Sequence, residues 1–385
     1  MIRIVFADDD LHVLEAMRRT LHNMRGEWAM EFTASGAAAL EELARAPADV
    51  IVTDMRMPGM DGWELLGKVK VLYPQTVRLI LSGEADATSI MRAVGTAHQY
   101  LAKPCSSAAL KSAISSTYVL RQLLSSERLA PMVAGVGTLP SAPKAFQEIL
   151  TCLQKPNASV ADAARIVGRD VAMTANVIKM VNSAFFGSRR PVSTAERAVA
   201  YLGLDTLGAL VLGHSAFKSG GASSIAGFSL EQLWQHSLDV AAAARTVAVH
   251  QKFSQPKADE AFLAAMLHDV GKVVFATAKG SGLAEQMAAH HAEVGAYLLG
   301  LWGFPTPIVE AVAFHHHPSQ SSTEGLNLAV LIHIAEQLVQ ERQGKDADPS
   351  EGELEPGLLQ KLGLEDRWPA WLAELNSLGS EQATA

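Results

Sequence analysis

The chain has 385 residues, of which 49% are hydrophobic and 19% are charged. This balance is typical of globular proteins, and the length predicts two or three domains with separate cores. A formal charge of -8 argues against a broad nucleic-acid surface, and the apolar runs are too interrupted for a transmembrane helix. Two cysteines, Cys105 and Cys152, cannot form a disulfide framework. We therefore expect a cytoplasmic protein that binds neither nucleic acid nor a membrane.

Short apolar runs alternate with helical patterns over residues 1–120. This alternation predicts a parallel sheet covered by helices on both faces. The predicted strands are Ile2–Ala7, Met30–Ala34, Val50–Thr53, Val77–Leu81 and Tyr100–Ala102, and the predicted helices lie near 11–24, 36–46, 61–72, 85–96 and 106–124.

Polar residues follow four of these strands, at the carboxyl ends where parallel sheets gather their functional groups. They are Asp8 and Asp9 after the first strand, Asp54 after the third, Ser82 after the fourth and Lys103 after the fifth. Clustered carboxylates repel one another unless a hard cation such as Mg²⁺ lies among them. An aspartate beside such a cation can attack a phosphoryl donor, and a lysine and a hydroxyl can then contact the phosphoryl oxygens. Any one of these acids alone would be explained as a helix cap.

Residues 1–120 resemble a response-regulator receiver domain, which has a flavodoxin-like, doubly wound (βα)5 fold. Met57–Gly62 and the pair Lys103-Pro104 complete the motif pattern. The resemblance implies that Asp54 is the phospho-acceptor, that a histidine kinase is the partner, and that the Lys103–Pro104 peptide bond is cis. It also implies a Mg²⁺ site formed by Asp8, Asp9, Asp54 and the carbonyl of Arg56, and a switch formed by Ser82, Tyr100 and Lys103.

Residues 121–138 are predicted to form a helical linker. Apolar residues at helical spacing continue the fifth helix, and Pro and Gly in Ala130–Gly137 then break it. Three interpretations stay open for this segment: a lever between domains, a seam of a homodimer, and a passive tether.

Residues 139–342 show a helical pattern throughout, which predicts an all-α domain. Helix starts are predicted at the capping boxes that begin at Ser159, Ser193 and Ser229, and at the N-caps Asp170 and Asp205. Ten of the thirteen histidines follow residue 213. We interpret His214, His250, His290, His317 and His333 as packing or surface residues.

The other histidines of this half and two acids are candidate metal ligands: His236, His268, Asp269, His291, His315, His316 and Glu336. Imidazole and carboxylate together suit Fe, Mn, Zn or Ni. Asp269 can bridge two ions while His268 holds one, because adjacent helical residues point about 100° apart. Two ions so held activate water for phosphoester hydrolysis, and Lys272 would meet a phosphate oxygen.

These residues resemble the metal site of HD phosphohydrolases, and the whole of 139–342 resembles the related HDOD domain. The marks of that resemblance are Leu139-Pro140, Asn182–Gly187, Arg190–Ser193, Tyr201–Leu204, His291–Leu299 and Ala313–His316. HDOD domains are taken to be non-catalytic signalling platforms. The chain departs from the enzymes in two places: Glu336 stands where they carry Asp, and no Gly-Tyr-Pro follows His316.

Two functions follow from the sequence. In the first, a response regulator relays phosphorylation to a non-catalytic HDOD domain that binds protein partners. In the alternative, the domain is a metal-dependent phosphodiesterase or phosphohydrolase in which Asp269 and Lys272 are catalytic and one or two transition-metal ions are bound. Residues 343–385 are predicted to be an acidic tail whose short helices pack on the body and carry no chemistry.

Overall fold

A computed structural model of the chain describes residues 1–82, 96–103, 129–134, 143–153, 157–182, 192–213, 228–278, 281–344 and 354–382, with a few single positions between these ranges. The predicted helix near 85–96, most of 106–124, Pro104, most of the Asn182–Gly187 motif and His214 lie outside the described residues.

The N-terminal region is a five-stranded parallel sheet with the strand order β2-β1-β3-β4-β5. Its elements are β1 Ile2–Ala7, α1 Leu11–Thr20, β2 Trp28–Thr33, α2 Gly36–Arg45, β3 Val50–Asp54, α3 Gly62–Leu72, β4 Val77–Ser82 and β5 Gln99–Ala102. This order is that of a flavodoxin-like doubly wound sheet, so the predicted fold class is confirmed. The second strand begins at Trp28, two residues earlier than predicted.

The sheet is buried on both faces because its strands are nearly continuous apolar runs. Val5, Ile51 and Ile80 point into a core formed with α2 and α3. Ile4 and Leu79 point to the opposite face, where their core is continuous with that of the helical region.

Every described element after residue 128 is helical, as predicted. The helices are α4 Leu129–Ala134, α5 Pro143–Leu153, α6 Val160–Val167, α7 Val171–Asn182, α8 Ala195–Gly213, α9 Leu230–His250, α10 Gln255–Leu267, α11 Val270–Thr277, α12 Leu283–Leu301, α13 Thr306–Ala313, α14 Leu328–Gln343, α15 Leu358–Leu362 and α16 Trp368–Gln382. Among the described residues, no helix combines the length and the apolar character needed to cross a membrane.

Three of the five predicted helix starts are confirmed by side-chain caps. At a fourth, Asp205, α8 is interrupted by the non-helical Gly203 two residues earlier, and the side chain of Asp205 lies outside the described part of the chain. The hydroxyls of Ser159 and Ser229 and the carboxylate of Asp170 accept hydrogen bonds from backbone N–H groups of the first turn. The start predicted at Ser193 is wrong. Thr194 offers its hydroxyl one residue closer to the helix, and it accepts the bond from the N–H of Arg197 at 3.2 Å.

The β4–β5 edge of the sheet packs against the helical region. The guanidinium of Arg78 and Nε2 of His98 lie 2.8 and 2.9 Å from the carbonyl oxygen of Ala134, at the end of α4. The amide of Gln99, the first residue of β5, donates to the carbonyl of Gly300 in α12 at 3.0 Å. The described part of the predicted linker, α4, is therefore docked on the sheet.

Candidate phospho-acceptor and metal sites

The first site lies at the carboxyl ends of β1, β3 and β5. Asp8 and Asp54 are both buried there. The ammonium group of Lys103, one residue beyond β5, lies 2.6 Å from Oδ2 of Asp8 and forms an ion pair with Oδ1 of Asp54. Parallel strands end at the same edge, so three residues that are far apart in sequence meet at one point.

Local backbone contacts hold the two carboxylates. The N–H of Asp10 donates to Asp8 at 3.0 Å, and the N–H of Arg56 donates to Asp54 at 2.6 Å. Gly62 starts α3 directly against the end of β3: a Cβ at this position would lie 2.2 Å from the carbonyl oxygen of Asp54. Only glycine allows this approach of the helix to the acceptor residue.

The charges at this site fit a hard cation. Burial raises the pKa of Asp8, although the contact with Lys103 opposes the change. Burial lowers the pKa of Lys103, but its contacts with Asp54 and Asp8 outweigh burial and raise it above the ordinary value. Two buried carboxylates thus share one ammonium group, and Asp9 beside them is exposed; Mg²⁺ binds oxygen ligands of this kind.

The two predicted switch residues lie on the neighbouring strands. Ser82 ends β4 opposite Ala102, and Tyr100 on β5 pairs with Ile80. Only the backbone of both residues is described.

The second site lies in the helical region, where the seven candidate ligands converge from five places in the chain. His236 lies on α9, His268 and Asp269 between α10 and α11, His291 on α12, His315 and His316 directly after α13, and Glu336 on α14. Three groups have ligand atoms within 4.8 Å of one another: His291, His315 and His316; His236, His268 and Asp269; His268, His315 and Glu336.

A close helix crossing brings His291 to Asp269. A Cβ on Gly271 would lie 1.9 Å from the carbonyl oxygen of His291, and a Cβ on Gly295 would lie 3.0 Å from the backbone nitrogen of Gly271. The backbones of α11 and α12 are therefore in contact. Nε2 of His291 consequently lies 3.3 Å from Oδ1 of Asp269.

Backbone carbonyls fix the tautomers of three of these histidines. Nδ1 of His268, His291 and His315 lies 2.6, 2.9 and 2.8 Å from the carbonyl oxygens of Ala265, Met287 and Val312 respectively. A carbonyl only accepts, so each Nδ1 carries a proton, and in a neutral ring Nε2 carries the lone pair.

The lone pair of His315 shows why a metal ion fits. Nε2 of His315 is buried and has no hydrogen-bond partner among the described residues, whereas Nε2 of His268 faces Oδ2 of Asp269 at 3.4 Å. Buried polar atoms in proteins nearly always have a partner, and a histidine that donates through Nδ1 to a carbonyl typically binds a metal ion through Nε2. The donor set of this cluster therefore fits a transition-metal ion.

The acids of this site are fully enclosed. Oδ2 of Asp269 lies 2.8 Å from Nζ of Lys272 and 3.9 Å from Nε2 of His236. Burial raises the pKa of Asp269, but the charges of Lys272 and His268 outweigh it and hold this pKa well below its usual range. Glu336 is also fully buried, and its Oε1 lies 3.9 Å from Nε2 of His268.

The imidazoles of the site differ in charge. Burial lowers the pKa of His268, but the charges of Asp269 and Glu336 raise it to about 9. Burial lowers the pKa of His291 to about 4 and that of His316 to about 3. Burial also holds the pKa of His315 well below its usual range. His291, His315 and His316 are therefore neutral at pH 7, which is the form that binds metal ions.

One supporting residue was not singled out from the sequence. His333 is buried on α14; its Nδ1 lies 2.8 Å from the carbonyl oxygen of His315, and its Nε2 accepts from the N–H of Glu355 at 2.9 Å. The only signal in the sequence was its position, three residues before Glu336 on the same helix. The other histidines set aside are peripheral: His250 and His290 form ion pairs with Glu374 and Glu293, and His317 is exposed.

Three family models match the chain. The response regulator receiver domain matches residues 4–115, the HDOD domain matches 139–287, and the HD domain matches 233–351. The chain is a response regulator with an HDOD domain. Receiver domains bind Mg²⁺, and HD domains in general depend on metal ions.

Several relatives of this response regulator are known. An uncharacterized protein of Treponema pallidum (strain Nichols) is 26% identical over 209 residues, which are 49% of this chain and 40% of that protein. The hydrogenase transcriptional regulatory protein HoxA of Cupriavidus necator is 36% identical over 103 residues, 26% of this chain and 21% of HoxA. The chain thus spans less than half the length of either relative. Among solved structures, the MmoQ response regulator of Methylococcus capsulatus is 24% identical, with coverage of 58% of this chain and 97% of MmoQ and a TM-score of 0.44.

Proposed function

We propose that this response regulator accepts a phosphoryl group on Asp54 from a histidine kinase and relays the signal to an HDOD domain that holds one or two transition-metal ions and acts through protein partners. One observation carries the metal-binding part: seven candidate ligands from five places in the chain lie in one buried cluster. The contacts of Asp54 and Asp8 with Lys103 support the phospho-acceptor part.

Phosphoryl transfer uses the carboxylate of Asp54. One oxygen attacks the phosphorus of the kinase's phosphohistidine, the P–N bond breaks, and the imidazole leaves with the electron pair of that bond. Asp8, Asp9, Asp54 and the carbonyl of Arg56 would hold the Mg²⁺ that neutralises the phosphoryl charge. Lys103 already lies against both buried carboxylates and is placed to bind a phosphoryl oxygen.

β5 connects the two sites. Lys103 follows its last residue, and Gln99 at its beginning donates to the carbonyl of Gly300 on α12. The same helix carries His291 about two and a half turns earlier. A change in the position of β5 on phosphorylation would therefore reach the metal cluster through α12.

Two groups of the candidate ligands would each hold one ion. His236, His268 and Asp269 would hold one ion, and His291, His315 and His316 a second, with Asp269 between them. Such ions, when bound, neutralise the buried carboxylates and act as Lewis acids. The neutral imidazoles of the second group provide ligands without adding charge.

A second candidate is a phosphohydrolase of the HD type. Lys272 favours it, because a buried ammonium group 2.8 Å from Asp269 is suited to a phosphate oxygen. The burial of the cluster favours the non-catalytic candidate, because His268, His315 and Glu336 have no exposed surface that a substrate could contact. We therefore place the protein-binding output first.

Elemental analysis of the purified full-length chain tests the metal centre. We expect one or two transition-metal ions per chain, and loss of the metal in Asp269→Ala. His290→Ala and His317→Ala are matched controls, because each removes a peripheral histidine next to a candidate ligand, and both should retain the metal. A wild-type chain that holds no metal and cannot be loaded with any contradicts the proposal. Hydrolysis of a bis-aryl phosphate by the loaded chain, lost in Asp269→Ala, would favour the second candidate.

Beryllofluoride with Mg²⁺ tests the acceptor. Hydrogen exchange in β5 and α12 should change in the wild type and stay unchanged in Asp54→Asn. Asp61→Asn is the control: this residue caps α3 outside the carboxylate cluster, and asparagine caps equally well. An equal response in Asp54→Asn and the wild type would remove Asp54 as the acceptor.

A further inference from the structure

The C-terminal segment 354–382 lies beyond the residues matched by the three family models, since the HD match ends at 351. It is nevertheless packed on the body of the helical region. Trp371 has no exposed surface and Leu375 has 1%. The segment is therefore a part of the folded core.

Two contacts of this segment reach helices that carry candidate ligands. Nε1 of Trp368 donates to Glu341 on α14 at 2.7 Å, and α14 also carries Glu336. Glu374 forms an ion pair with His250 at the end of α9, the helix that carries His236. The segment thus joins α9 and α14 on the outside of the metal cluster.

A third contact leads directly to a ligand. The N–H of Glu355 donates to Nε2 of His333, and Nδ1 of His333 faces the carbonyl oxygen of His315. Nδ1 must donate to a carbonyl and Nε2 must accept from an N–H, so His333 is a neutral imidazole with one defined tautomer. Its ring has 1% exposed surface, so neither bond can be replaced by bulk water.

We propose that His333 is a positioning residue of the metal centre and that segment 354–382 holds it in place. This inference rests on the proposed metal binding. The carbonyl of His315 lies in the turn between α13 and the short 3₁₀ helix Pro318–Gln320, where the backbone has no long helix to fix it. The bond from His333 ties that turn to α14, so the imidazoles of His315 and His316 and the carboxylate of Glu336 keep one geometry. Outer groups that orient metal ligands in this way typically contribute about 10–100-fold in metal affinity.

A pair of substitutions separates positioning from packing. His333→Leu removes both hydrogen bonds, whereas His333→Asn keeps an N–H donor in the place of Nδ1. We expect the metal affinity, measured by competition with a chelator, to fall about 10–100-fold in His333→Leu and to recover most of that loss in His333→Asn. The visible absorption of the Co²⁺-loaded chain should change in His333→Leu and resemble the wild type in His333→Asn. A purely structural role predicts no such rescue.

A backbone test avoids any change of the histidine. Glu355→Pro removes the N–H that His333 accepts, and Glu355→Ala removes only the side chain that contacts Ser319. The proline variant should lose metal affinity and the alanine variant should keep it. Circular dichroism on each variant verifies that it is folded.

The outcomes distinguish the two proposals. A wild-type chain that cannot be loaded with Co²⁺ or Zn²⁺ refutes the metal centre and, with it, the role of His333. A wild-type chain that binds metal while His333→Leu and Glu355→Pro bind it equally well refutes the positioning role alone.

Discussion

The carboxylate site of the sheet and the histidine cluster of the helical region balance their charges differently. In the sheet, Lys103 already lies between Asp8 and Asp54, so the site is stable without a metal ion. In the helices, Nε2 of His315 is buried without a hydrogen-bond partner among the described residues. The first site is suited to a cation that comes and goes with phosphorylation. The second is suited to an ion that stays bound as part of the fold.

Both sites depend on a glycine at a close contact between two backbones, and substitution of these glycines has the largest expected effect on stability. Gly62 allows α3 to contact the backbone of Asp54, and Gly271 allows α11 to contact the backbone of His291. A methyl group would lie 2.2 and 1.9 Å from those carbonyl oxygens, so either helix must move. We expect Gly62→Ala and Gly271→Ala each to lower the free energy of unfolding by more than about 3 kcal/mol, measured by urea denaturation.

Each glycine variant should damage only its own site. Gly62→Ala should lose beryllofluoride binding and keep the metal, and Gly271→Ala should do the reverse. Gly26→Ala is the control, because a Cβ there meets nothing within 4 Å. If both variants lose beryllofluoride binding and the metal together, the sheet and the helices unfold as one unit. The two sites would then not be independent.

Removal of the metal has the second-largest expected effect on stability. A site filled at roughly 100 to 1,000 times its Kd stabilises the folded state by about 3–4 kcal/mol. Chelation should therefore speed hydrogen exchange in α9–α14 and leave β1–β4 unchanged, as measured by mass spectrometry. Equal effects in both regions would mean that the helical cluster has no special need for an ion.

Lys103→Met gives the smallest effect. The substitution leaves Asp8 and Asp54 facing each other, and we expect it to lower the free energy of unfolding by about 2 kcal/mol. This loss is smaller than for a fully buried ion pair, because the lysine side chain is 26% exposed. Millimolar Mg²⁺ should restore part of this loss in a thermal melt, because it replaces the missing positive charge. Lys68→Met, which breaks an exposed helical pair with Glu64, should cost less than about 0.5 kcal/mol and show no rescue. Absence of rescue in Lys103→Met would show that no cation binds beside these carboxylates.

The sheet and its acids were predictable because their signals are local. Most strands are short, largely apolar runs, and Asp8, Asp54 and Lys103 each lie at or directly after the end of one, so topology brings them together. The second strand was placed two residues late because the predicted segment Met30–Ala34 left out the apolar residues Trp28 and Ala29 that precede it.

The surroundings of the helical cluster were less predictable, because they depend on contacts between distant segments. The type of each candidate ligand was visible in the sequence, but nothing local pairs His333 with Glu355 or Gln99 with Gly300. The tail helices were predicted to pack on the body, and they do. Their contacts with α9 and α14 could not be read from apolar spacing alone.

The convergence of five chain segments on one metal cluster also sets an order of events during synthesis. Asp54 and Lys103 leave the ribosome early, whereas Glu336 emerges roughly 280 residues after Asp54, a delay of about 15–55 s at common translation rates. The nascent chain therefore contains every residue of the candidate acceptor site, and the candidate ligands His236, His268 and Asp269, before Glu336 completes the helical cluster.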